Sequence, residues 1–390
     1  MKIGIITVQK APNYGAVLQC YALQFFFRMK GGDCEVIDLC RPYHKEYIKS
    51  DVFIPYGGRN RSFLDKLRKF YRDFKYNHFL FLRKNGRLRQ KYKRRNQYLE
   101  NAWIHSFNKF NERIIFSKKY KSVDELYENP PVYDIYITGS DQLWNPTQNY
   151  SIEPYFLTFV KNGGKKVSYS TSIGQECLPK TVMDDYVKWL KDYDFISLRE
   201  QSSINLLQPL CDKKIYRTVD PTILIPTEEW KRLSIKPEEN NYVFCYTLHY
   251  SPDLLNYARQ FAYENNKQLI YWIHDYRDEK LMGENVKGRI DISPEEWLGY
   301  IEYADFVISD SFHGSVFSIL FQRQFITYIP SNNTRGNRIV DLLGIYGLQD
   351  RLILDLSRPY IDKKIDYVKI SQIVERERNQ SIAFLNSIIL

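Results

Sequence analysis

The stretch "KIGIITVQKAPNYGAVLQCYALQFFFRMKGGDCEVIDL", residues 2–39, decides the fold because it contains a strand, a loop, a helix and a second strand in that order. "KIGIITV" is typical of a buried strand, and Leu18, Tyr21 and Phe25 recur after it at helical spacing. The pair Gly31–Gly32 marks the end of the helix, and "CEVIDL" forms the next strand. A strand–helix–strand unit of this kind predicts the start of an open, parallel α/β sheet.

The same alternation of strands and helices occurs in two series along the chain. The first series resumes with "YDIYITGSDQLWNP" and continues through "KKVSYSTSIG" and "DFISLRE" to "IYRTVDPTILI". After the polar stretch "PTEEWKRLSIKPEEN", which we interpret as a linker, a second series runs from "NYVFCYTL" to "QFITYIP". We therefore predict an α/β fold with two Rossmann-like domains facing across a cleft, over residues 1–226 and 238–370, and a C-terminal amphipathic helix over 371–390.

The composition is that of a globular protein, since 44% of the 390 residues are hydrophobic and 26% are charged. No apolar run approaches the roughly 20 residues that a membrane span needs. The N-terminus lacks the apolar core of a signal peptide, so we expect a cytoplasmic location. The six cysteines show neither a C-x-x-C pair nor the spacing of zinc ligands. We expect them to be reduced thiols, and we expect no metal site.

One segment accounts for the net positive charge of the chain. Between Arg59 and Arg95 there are fifteen Lys or Arg residues against two acidic residues, whereas the net charge of the whole chain is +10. We predict a basic helical insertion in the N-terminal domain over residues from about 59 to 110. Basic aromatic helices often lie on anionic membrane surfaces, and we hypothesise that residues 59–95 dock there. A solvated helical face or a partner-binding arm would have the same composition, and no motif supports nucleic-acid binding.

Polar corners follow several of the predicted strands. They are "NYGA" (13–16), "TGSDQLWN" (138–145), "SLRE" (197–200), "VDPT" (219–222) and "SDSFHGS" (309–315). In open α/β sheets, ligands bind beyond the carboxyl ends of the strands. The chain has no G-x-G-x-x-G motif, no P-loop and no G-x-S-x-G elbow. These absences disfavour NAD-dependent enzymes, P-loop enzymes and serine hydrolases, and they indicate an anion smaller than a dinucleotide.

The corner "SDSFHGS" is the strongest candidate for an anion site. Free N–H groups around Gly314 and Ser315, with the hydroxyls of Ser311 and Ser315, would bind a phosphate at a helix N-terminus. His313 would lie at the same pocket and titrate near neutrality, or it would simply cap the helix. Arginines at such corners bind carboxylates and phosphates through two parallel hydrogen bonds. The arginine candidates are Arg199, Arg335 and Arg338.

The corner "TGSDQLWN" places hydrogen-bonding side chains beside an aromatic ring, a combination that suits a sugar. Together with the first corner, it supplies the candidates for contacting a glycan. These candidates are Asn13, Tyr14, Gly15, Ser140, Asp141, Gln142, Trp144 and Asn145. Ordinary structural roles remain open for them, such as a turn-forming Asp and a packing Trp, and for Arg199 an ion pair with Glu200.

Taken together, "NYGAVLQCYAL", "ITGSDQLWN", "SLRE", "VDPT" and "SDSFHGSVFSILF" resemble the polysaccharide pyruvyl transferase family. The resemblance extends over residues 2–348 and leaves out the basic insertion. It implies a GT-B-like fold with an N-terminal acceptor-binding domain and a C-terminal donor-binding domain. It also implies phosphoenolpyruvate as the donor, a glycan as the acceptor and a pyruvate ketal as the product, with His313 and Arg199 acting at the donor.

The implied reaction assigns roles to three catalytic candidates, His313, Arg199 and Asp310. Ketal formation starts with protonation of the enol methylene carbon, which requires a general acid. His313 is the candidate for this acid, or alternatively for the ligand of the leaving phosphate. Asp310 or Asp141 would take the proton from an attacking hydroxyl. The chemistry requires no metal and no cofactor, because phosphoenolpyruvate is a co-substrate.

We therefore expect an enzyme of capsule or exopolysaccharide biosynthesis. Its acceptor would be a polyprenyl-diphosphate-linked glycan, and it would work in the cytoplasm or on the cytoplasmic face of the inner membrane. One alternative is a GT-B glycosyltransferase that uses a sugar-nucleotide donor. Another is a non-catalytic, membrane-associated assembly factor.

Overall fold

Two parallel sheets form the framework of the protein. The computed structural model describes residues 1–56, 104–161, 163–248, 251–273, 285–330, 336–357 and 363–389. The basic segment 59–95 and Arg335 lie outside the described residues. Of the predicted insertion over 59–110, only residues 104–110 are described, and these belong to a helical stretch over 104–111.

Seven strands form the N-terminal sheet. They are β1 (Lys2–Ile6), β2 (Asp33–Leu39), β3 (Phe116–Tyr120), β4 (Ile135–Thr138), β5 (Lys165–Thr171), β6 (Phe195–Leu198) and β7 (Ile215–Arg217). Their order across the sheet is β3-β2-β1-β4-β5-β6-β7, and all neighbours pair in parallel. The chain thus builds one side of the sheet from β1 and the other side from β4, and the switch between β1 and β4 opens a crevice for ligands.

Six strands form the C-terminal sheet. They are β8 (Tyr242–Tyr246), β9 (Gln268–Trp272), β10 (Val286–Arg289), β11 (Phe306–Ser309), β12 (Gln324–Tyr328) and β13 (Leu352–Ile353). Their order is β10-β9-β8-β11-β12-β13, again with parallel neighbours. The switch point lies between β8 and β11. The corner "SDSFHGS" begins at the end of β11, so this sheet places it where α/β sheets bind ligands.

The helices connect these strands. Those of the described residues are α1 (Tyr14–Met29), α2 (Val123–Glu128), α3 (Lys180–Leu190), α4 (Gln201–Leu207), α5 (Pro221–Leu224), α6 (Thr227–Leu233), α7 (Pro252–Glu264), α8 (Pro294–Glu302), α9 (Phe312–Leu320), α10 (Asn337–Ile345) and α11 (Tyr367–Ile389). The strands β1–β7 fall within residues 1–226 and the strands β8–β13 within 238–370. The two sheets confirm the predicted α/β class with two Rossmann-like units.

Local capping explains where the elements depart from the sequence-based expectations. Helix α1 begins at Tyr14, ahead of the periodic apolar residues Leu18, Tyr21 and Phe25, because the Asn13 side chain accepts a hydrogen bond from the backbone N–H of Ala16 at 3.1 Å. Helix α11 begins at Tyr367 rather than at residue 371, because Asp366 accepts from the N–H of Val368 at 3.1 Å. Side-chain caps thus extend both helices beyond the apolar periodicity.

The stretch predicted as a linker contains helix α6. Its Trp230 is fully buried and donates a hydrogen bond from Nε1 to the carbonyl of Thr222 at 2.8 Å. The same indole packs edge-on against Phe317 of α9, with 5.1 Å between ring centroids. The sequence-based interpretation missed this helix because the stretch is polar apart from its one buried tryptophan, whose large apolar surface packs the helix against the protein.

The C-terminal helix α11 returns to the N-terminal sheet. Glu377 pairs with Arg217 of β7 at 2.5 Å, and Ser381 accepts a hydrogen bond from the N–H of Val219 at 2.9 Å. Arg378 donates to the carbonyl of Ile223 at 2.7 Å. The end of the chain therefore stabilises the segment that follows β7, which carries the corner "VDPT".

An aromatic cluster joins the two domains. Tyr14 of α1 is fully buried and stacks on Trp297 of α8, with 5.1 Å between the centroids and 6° between the planes. Its hydroxyl donates to the carbonyl of Ile292 at 2.8 Å, and Phe107 packs on its ring at 4.9 Å. Because these residues belong to one continuous core with Phe317 of α9, the first turn of α1 is held against the C-terminal domain.

Among the described residues, no helix combines the length and the apolar character that a membrane crossing demands.

Two helical glycines allow a matched test of the packing at the domain junction. A Cβ on Gly299 would lie 1.8 Å from the carbonyl oxygen of Ile235, whereas a Cβ on Gly344 meets no atom within 4 Å. We expect Gly299→Ala to destabilise the protein by roughly 1–3 kcal/mol through overpacking. Gly344→Ala should be neutral or stabilising by up to about 1 kcal/mol through helix propensity. Thermal unfolding of both variants measures the difference, and equal transition temperatures would contradict the close packing of α8 on Ile235.

Candidate active site at the domain junction

The candidate site lies where the carboxyl ends of the N-terminal strands meet the first turn of α9. Ser140 follows β4, Arg199 follows β6 and Asp220 follows β7. His313 stands in the first turn of α9 and comes from the other domain. All four side chains are buried. The fold thus brings together the corners "TGSDQLWN", "SLRE", "VDPT" and "SDSFHGS".

Asp220 is the centre of this cluster. Its Oδ2 accepts hydrogen bonds from Arg199 Nη1 at 2.7 Å and from Ser140 Oγ at 3.0 Å, and it lies 3.5 Å from His313 Nε2. Its Oδ1 accepts from the N–H and the hydroxyl of Thr222 at 3.0 and 2.8 Å. Burial alone would raise the pKa of this carboxyl, but His313 and Arg199 outweigh burial and hold the pKa well below its usual range. Asp220 is therefore an ionised carboxylate.

Arg199 is held by two carboxylates and an aromatic ring. Its Nε donates to Glu200 at 2.7 Å, its Nη1 donates to Asp220, and its guanidinium lies 4.1 Å from the ring centroid of Phe312. Burial would lower the pKa of Arg199, but Glu200 and Asp220 outweigh it and raise the pKa above its usual range. Among the described residues, no acceptor contacts the buried Nη2. One nitrogen of this fixed cation is therefore left for a ligand.

His313 is clamped by the first turn of α1. A Cβ placed on Gly15 would lie 1.9 Å from His313 Nδ1, so only glycine allows this approach. The His313 side chain is 9% exposed, and its buried Nε2 has no hydrogen-bond partner within the described ranges. Gly15 thus gives the imidazole the space it needs, and its predicted contact with a glycan stays a prediction. The histidine of one domain is thus packed on a helix of the other.

The residues of the predicted phosphate site form the first turn of α9. The hydroxyl of Ser311 accepts from the N–H of Gly314 at 3.2 Å, and the carbonyl of Ser311 accepts from the N–H of Ser315 at 3.0 Å. The hydroxyl of Ser315 bonds Ser311 and Thr327. The N–H groups of Gly314 and Ser315 and the hydroxyl of Ser315 are thus already used within the corner, and the predicted phosphate contacts of Ser311, Gly314 and Ser315 stay a prediction. A Cβ on Gly314 would lie 2.6 Å from Ser309 Oγ, and its glycine is therefore explained by close packing.

Asp310 connects the ends of two C-terminal strands. Its Oδ1 accepts a hydrogen bond from the N–H of Leu248, just beyond β8, at 2.5 Å. The residue is 9% exposed and directly precedes the helix cap Ser311. This contact fixes the corner that carries His313. The proposed role of Asp310 as a base stays a prediction.

Arg338 reaches from α10 to the N-terminal domain. Its Nη1 lies 4.0 Å from Asp141 Oδ1, and its guanidinium is 5.9 Å from the ring centroid of Phe312. The side-chain amide of Gln142 lies within 2.8–3.1 Å of the guanidinium, and with its oxygen turned to Arg338 it accepts these hydrogen bonds. Nearby, Ser202 of α4 donates to Asp341 of α10 at 2.7 Å. Polar contacts thus join the domains on this side of the cluster.

Three predicted glycan contacts have side chains that are fully buried in this structure, and their contact with a glycan stays a prediction. Trp144 stacks on Phe156 at 4.5 Å and donates from Nε1 to the carbonyl of Tyr155 at 2.7 Å, so neither ring face is open to a sugar. The Oδ1 of Asn145 accepts from the N–H and the hydroxyl of Thr147 at 2.9 and 2.8 Å, which shapes the loop. The third residue, Tyr14, belongs to the aromatic domain junction. The sequence of these polar loops does not indicate the burial, because the residues that cover Trp144 and Tyr14 lie elsewhere in the chain.

The remaining acceptor candidates lie on or beside the cleft. Asn13 caps α1 and is half-buried. Asp141 is half-buried and has a left-handed backbone at φ +76°, a conformation that orders the loop after β4. Ser140 contacts the carboxylate of Asp220. Contact of Asn13, Asp141 and Gln142 with a glycan stays a prediction.

Sequence reasoning missed Asp220, Glu200 and Phe312 as site residues. The corners "VDPT" and "SLRE" were the available signals for the two acids, and Phe312 lies inside "SDSFHGS". Asp220 also caps α5, and Glu200 follows Arg199 directly, so each has an ordinary structural explanation in sequence. Their role becomes evident only from the contacts between distant segments.

The cluster borders a small cavity. Arg199, Asp220, Phe312, Arg338 and Asp341 contribute to its walls, and its volume of about 20 Å³ is room for roughly one water molecule. Within the part of the chain that the structure describes, no three His, Cys, Asp or Glu side chains are grouped to hold a metal ion. The arrangement can therefore present fixed cations and a histidine to a compact anion that enters from the cleft.

Comparisons with known proteins identify the family and the fold. Residues 13–332 match the family model described as polysaccharide pyruvyl transferase. MnaA of S. aureus, solved with UDP, is 9% identical, with 97% of this chain and 90% of that chain covered and a TM-score of 0.50. A protein of Listeria monocytogenes assigned as a UDP-N-acetylglucosamine 2-epimerase is 11% identical, with 100% and 96% covered and a TM-score of 0.50. The E. coli heptosyltransferase WaaC with ADP is 11% identical, with 97% and 100% covered and a TM-score of 0.41.

At these identities the structural likenesses show the fold alone, which is α/β and GT-B-like with two Rossmann-like domains. No curated protein sequence matches the chain. The family match covers most of the chain and includes the corners that carry Ser140, Arg199, Asp220 and His313. The chain belongs to the polysaccharide pyruvyl transferase family.

Proposed function

We propose that this protein transfers pyruvate from phosphoenolpyruvate to a sugar of a glycan and forms a pyruvate ketal. The observation that supports this proposal best is the buried cluster at the domain junction, where Arg199 and His313 come from different domains and meet the carboxylate of Asp220, and where the Nη2 of Arg199 has no hydrogen-bond partner among the described residues. Phosphoenolpyruvate carries a carboxylate and a phosphate but no nucleoside, which agrees with a chain that lacks nucleotide fingerprints.

Donor binding would use fixed cations. The Nη2 of Arg199 would donate to a carboxylate or phosphate oxygen, and Arg338 would supply a second cation across the face of Phe312. Because Glu200 and Asp220 already hold the other side of Arg199, the guanidinium is preorganised and loses little entropy on binding. Phosphoenolpyruvate needs more room than the 20 Å³ cavity offers, so we expect it to bind from the cleft side with some separation of the walls.

His313 would act as the general acid. It would transfer a proton to the methylene carbon of phosphoenolpyruvate and leave an oxocarbenium-like centre at C2. One sugar hydroxyl attacks C2, phosphate departs with its bridging oxygen, and a second hydroxyl closes the ketal. The two hydroxyl protons are released, one to reprotonate His313 and the other to phosphate or to a base such as Asp310 or Asp141. The chemistry consumes phosphoenolpyruvate as a co-substrate and needs no cofactor.

The acceptor would be a polyprenyl-diphosphate-linked repeat of a capsule or exopolysaccharide, modified at the cytoplasmic face of the inner membrane. The basic segment 59–95 supports this part of the proposal through its charge, because a lipid-linked acceptor lies at an anionic surface.

The first test concerns the donor. We expect phosphoenolpyruvate to raise the thermal unfolding temperature of the wild type, since a ligand that binds only the folded state stabilises it by about 2.7 kcal/mol at a hundred times its Kd. Pyruvate plus inorganic phosphate serves as the control for non-specific anion effects. A shift with UDP-sugars and none with phosphoenolpyruvate would instead support a GT-B glycosyltransferase. No shift with any donor would favour a non-catalytic assembly factor.

The second test concerns the acid. We expect His313→Ala to lower kcat for phosphate release in the presence of a glycan acceptor by about 10²-fold or more, the usual contribution of a general acid. His105, exposed on the helical stretch over 104–111, provides the matched control, and His105→Ala should retain wild-type activity. If His313→Ala releases phosphate at the wild-type rate, the catalytic assignment is wrong.

The third test concerns the membrane. We expect the wild type to float with vesicles that contain phosphatidylglycerol and not with pure phosphatidylcholine vesicles, because each Lys or Arg near an anionic surface contributes about 1 kcal/mol. A variant with glutamine at the basic positions of 59–95 should lose this binding and keep its thermal stability. Equal flotation of the variant and the wild type would refute a role of this segment.

A further inference from the structure

Asp220 uses its two carboxylate oxygens for different purposes. Oδ1 accepts from the N–H and the hydroxyl of Thr222, which is the local cap of the four-residue helix α5. Oδ2 faces the site, where it accepts from Arg199 and Ser140 and lies 3.5 Å from His313 Nε2. The helix cap uses only Oδ1, so it does not explain the contacts of Oδ2. The second oxygen therefore calls for a role in the site itself.

We infer that Asp220 is the positioning residue of the proposed transfer, and that its Oδ2 aligns the donor-binding Arg199 with the acid His313 across the domain boundary. This inference rests on the proposed function, since it assigns a partner to the two groups that act on phosphoenolpyruvate. Asp220 itself would contact neither the donor nor the acceptor.

The charged surroundings agree with this role. Arg199 approaches Asp220 from the end of β6 and His313 approaches from α9, while Glu200 balances the second edge of Arg199. Two buried phenols also face the carboxylate, Tyr169 of β5 and Tyr346 after α10, and burial raises the pKa of both, so they stay neutral.

The remaining neighbours of His313 carry little charge toward it. From α1 its neighbour is Gly15, which has no side chain, and from its own corner the charged residue is Asp310, whose Oδ1 is bonded to Leu248. Asp220 is therefore the carboxylate that lies against the imidazole. His313 is in turn one of the groups that hold the pKa of the Asp220 carboxyl low, so the contact between the two side chains is electrostatic.

The domain arrangement gives the contact a further consequence. Arg199 and Asp220 belong to the N-terminal domain, whereas His313 belongs to the C-terminal domain. His313 meets the carboxylate only when α9 is packed on α1, as the approach of Gly15 requires. Asp220 would thus align His313 with Arg199 in the assembled site and not in an open one.

The test compares Asp220→Asn with Ser140→Ala in the full-length protein. Asp220→Asn removes the charge and keeps the shape, and we expect phosphate release from phosphoenolpyruvate to fall about tenfold or more, with the alkaline limb of the pH–rate profile moved to lower pH. Ser140→Ala removes a neutral hydrogen bond to the same oxygen, so its profile should keep the wild-type position. A merely structural role of Asp220 would lower the yield or the stability and leave the profile in place.

A second variant covers the case in which Asp220→Asn does not fold. Asp220→Glu keeps the charge but displaces it by one methylene, and we expect a lower kcat with an unmoved pH profile. Wild-type kcat in Asp220→Glu, or a wild-type rate and profile in folded Asp220→Asn, would overturn the inference. If the wild-type protein releases no phosphate from phosphoenolpyruvate, the proposed function is refuted, and this role with it. The wild-type assay alone distinguishes that outcome from a failure of the Asp220 inference.

Discussion

A carboxylate buried between two domains is the constraint on which the site depends. An isolated ion in a protein interior is costly, and Asp220 is tolerated because Arg199, Ser140, Thr222 and His313 surround it. These partners come from four separate segments of the chain. The arrangement is therefore complete only when the two domains are packed together. The electrostatics of the site thus depend on the packing of the domains.

The aromatic junction supplies the dry surroundings that make these charges effective. Tyr14, Trp297 and Phe317 are buried and pack against one another beside the first turn of α1, where α9 approaches it. Interactions between charges are stronger in such a medium than in water. Gly15 sets the tolerance of this packing, because the imidazole of His313 occupies the space that any side chain would need. The first turn of α1 thus contributes Tyr14 to the apolar packing and Gly15 to the geometry of the candidate site.

Sequence patterns predicted the framework well, since each βα unit is defined by residues close together in the chain. The periodicity of Leu18, Tyr21 and Phe25 gives α1, and glycine and polar corners give the strand ends. The fate of individual side chains depends on distant partners. Trp144 in a polar loop suggested a sugar platform, but Phe156 and Tyr155 bury it. Asp220 caps α5 through one carboxylate oxygen, and its other oxygen contacts Arg199, 21 residues earlier, and Ser140, 80 residues earlier.

The two sides of the cluster differ in how firmly they join the domains. On the α1 side the contact is aromatic and buried, whereas on the α10 side it consists of Arg338 with Asp141 and Ser202 with Asp341, pairs that are partly exposed to water. Polar contacts of this kind exchange for water at little net cost, but separating stacked aromatic rings exposes apolar surface. Separating the domains therefore costs less on the α10 side, which is also the side where Arg338 and Phe312 line the small cavity beside Arg199.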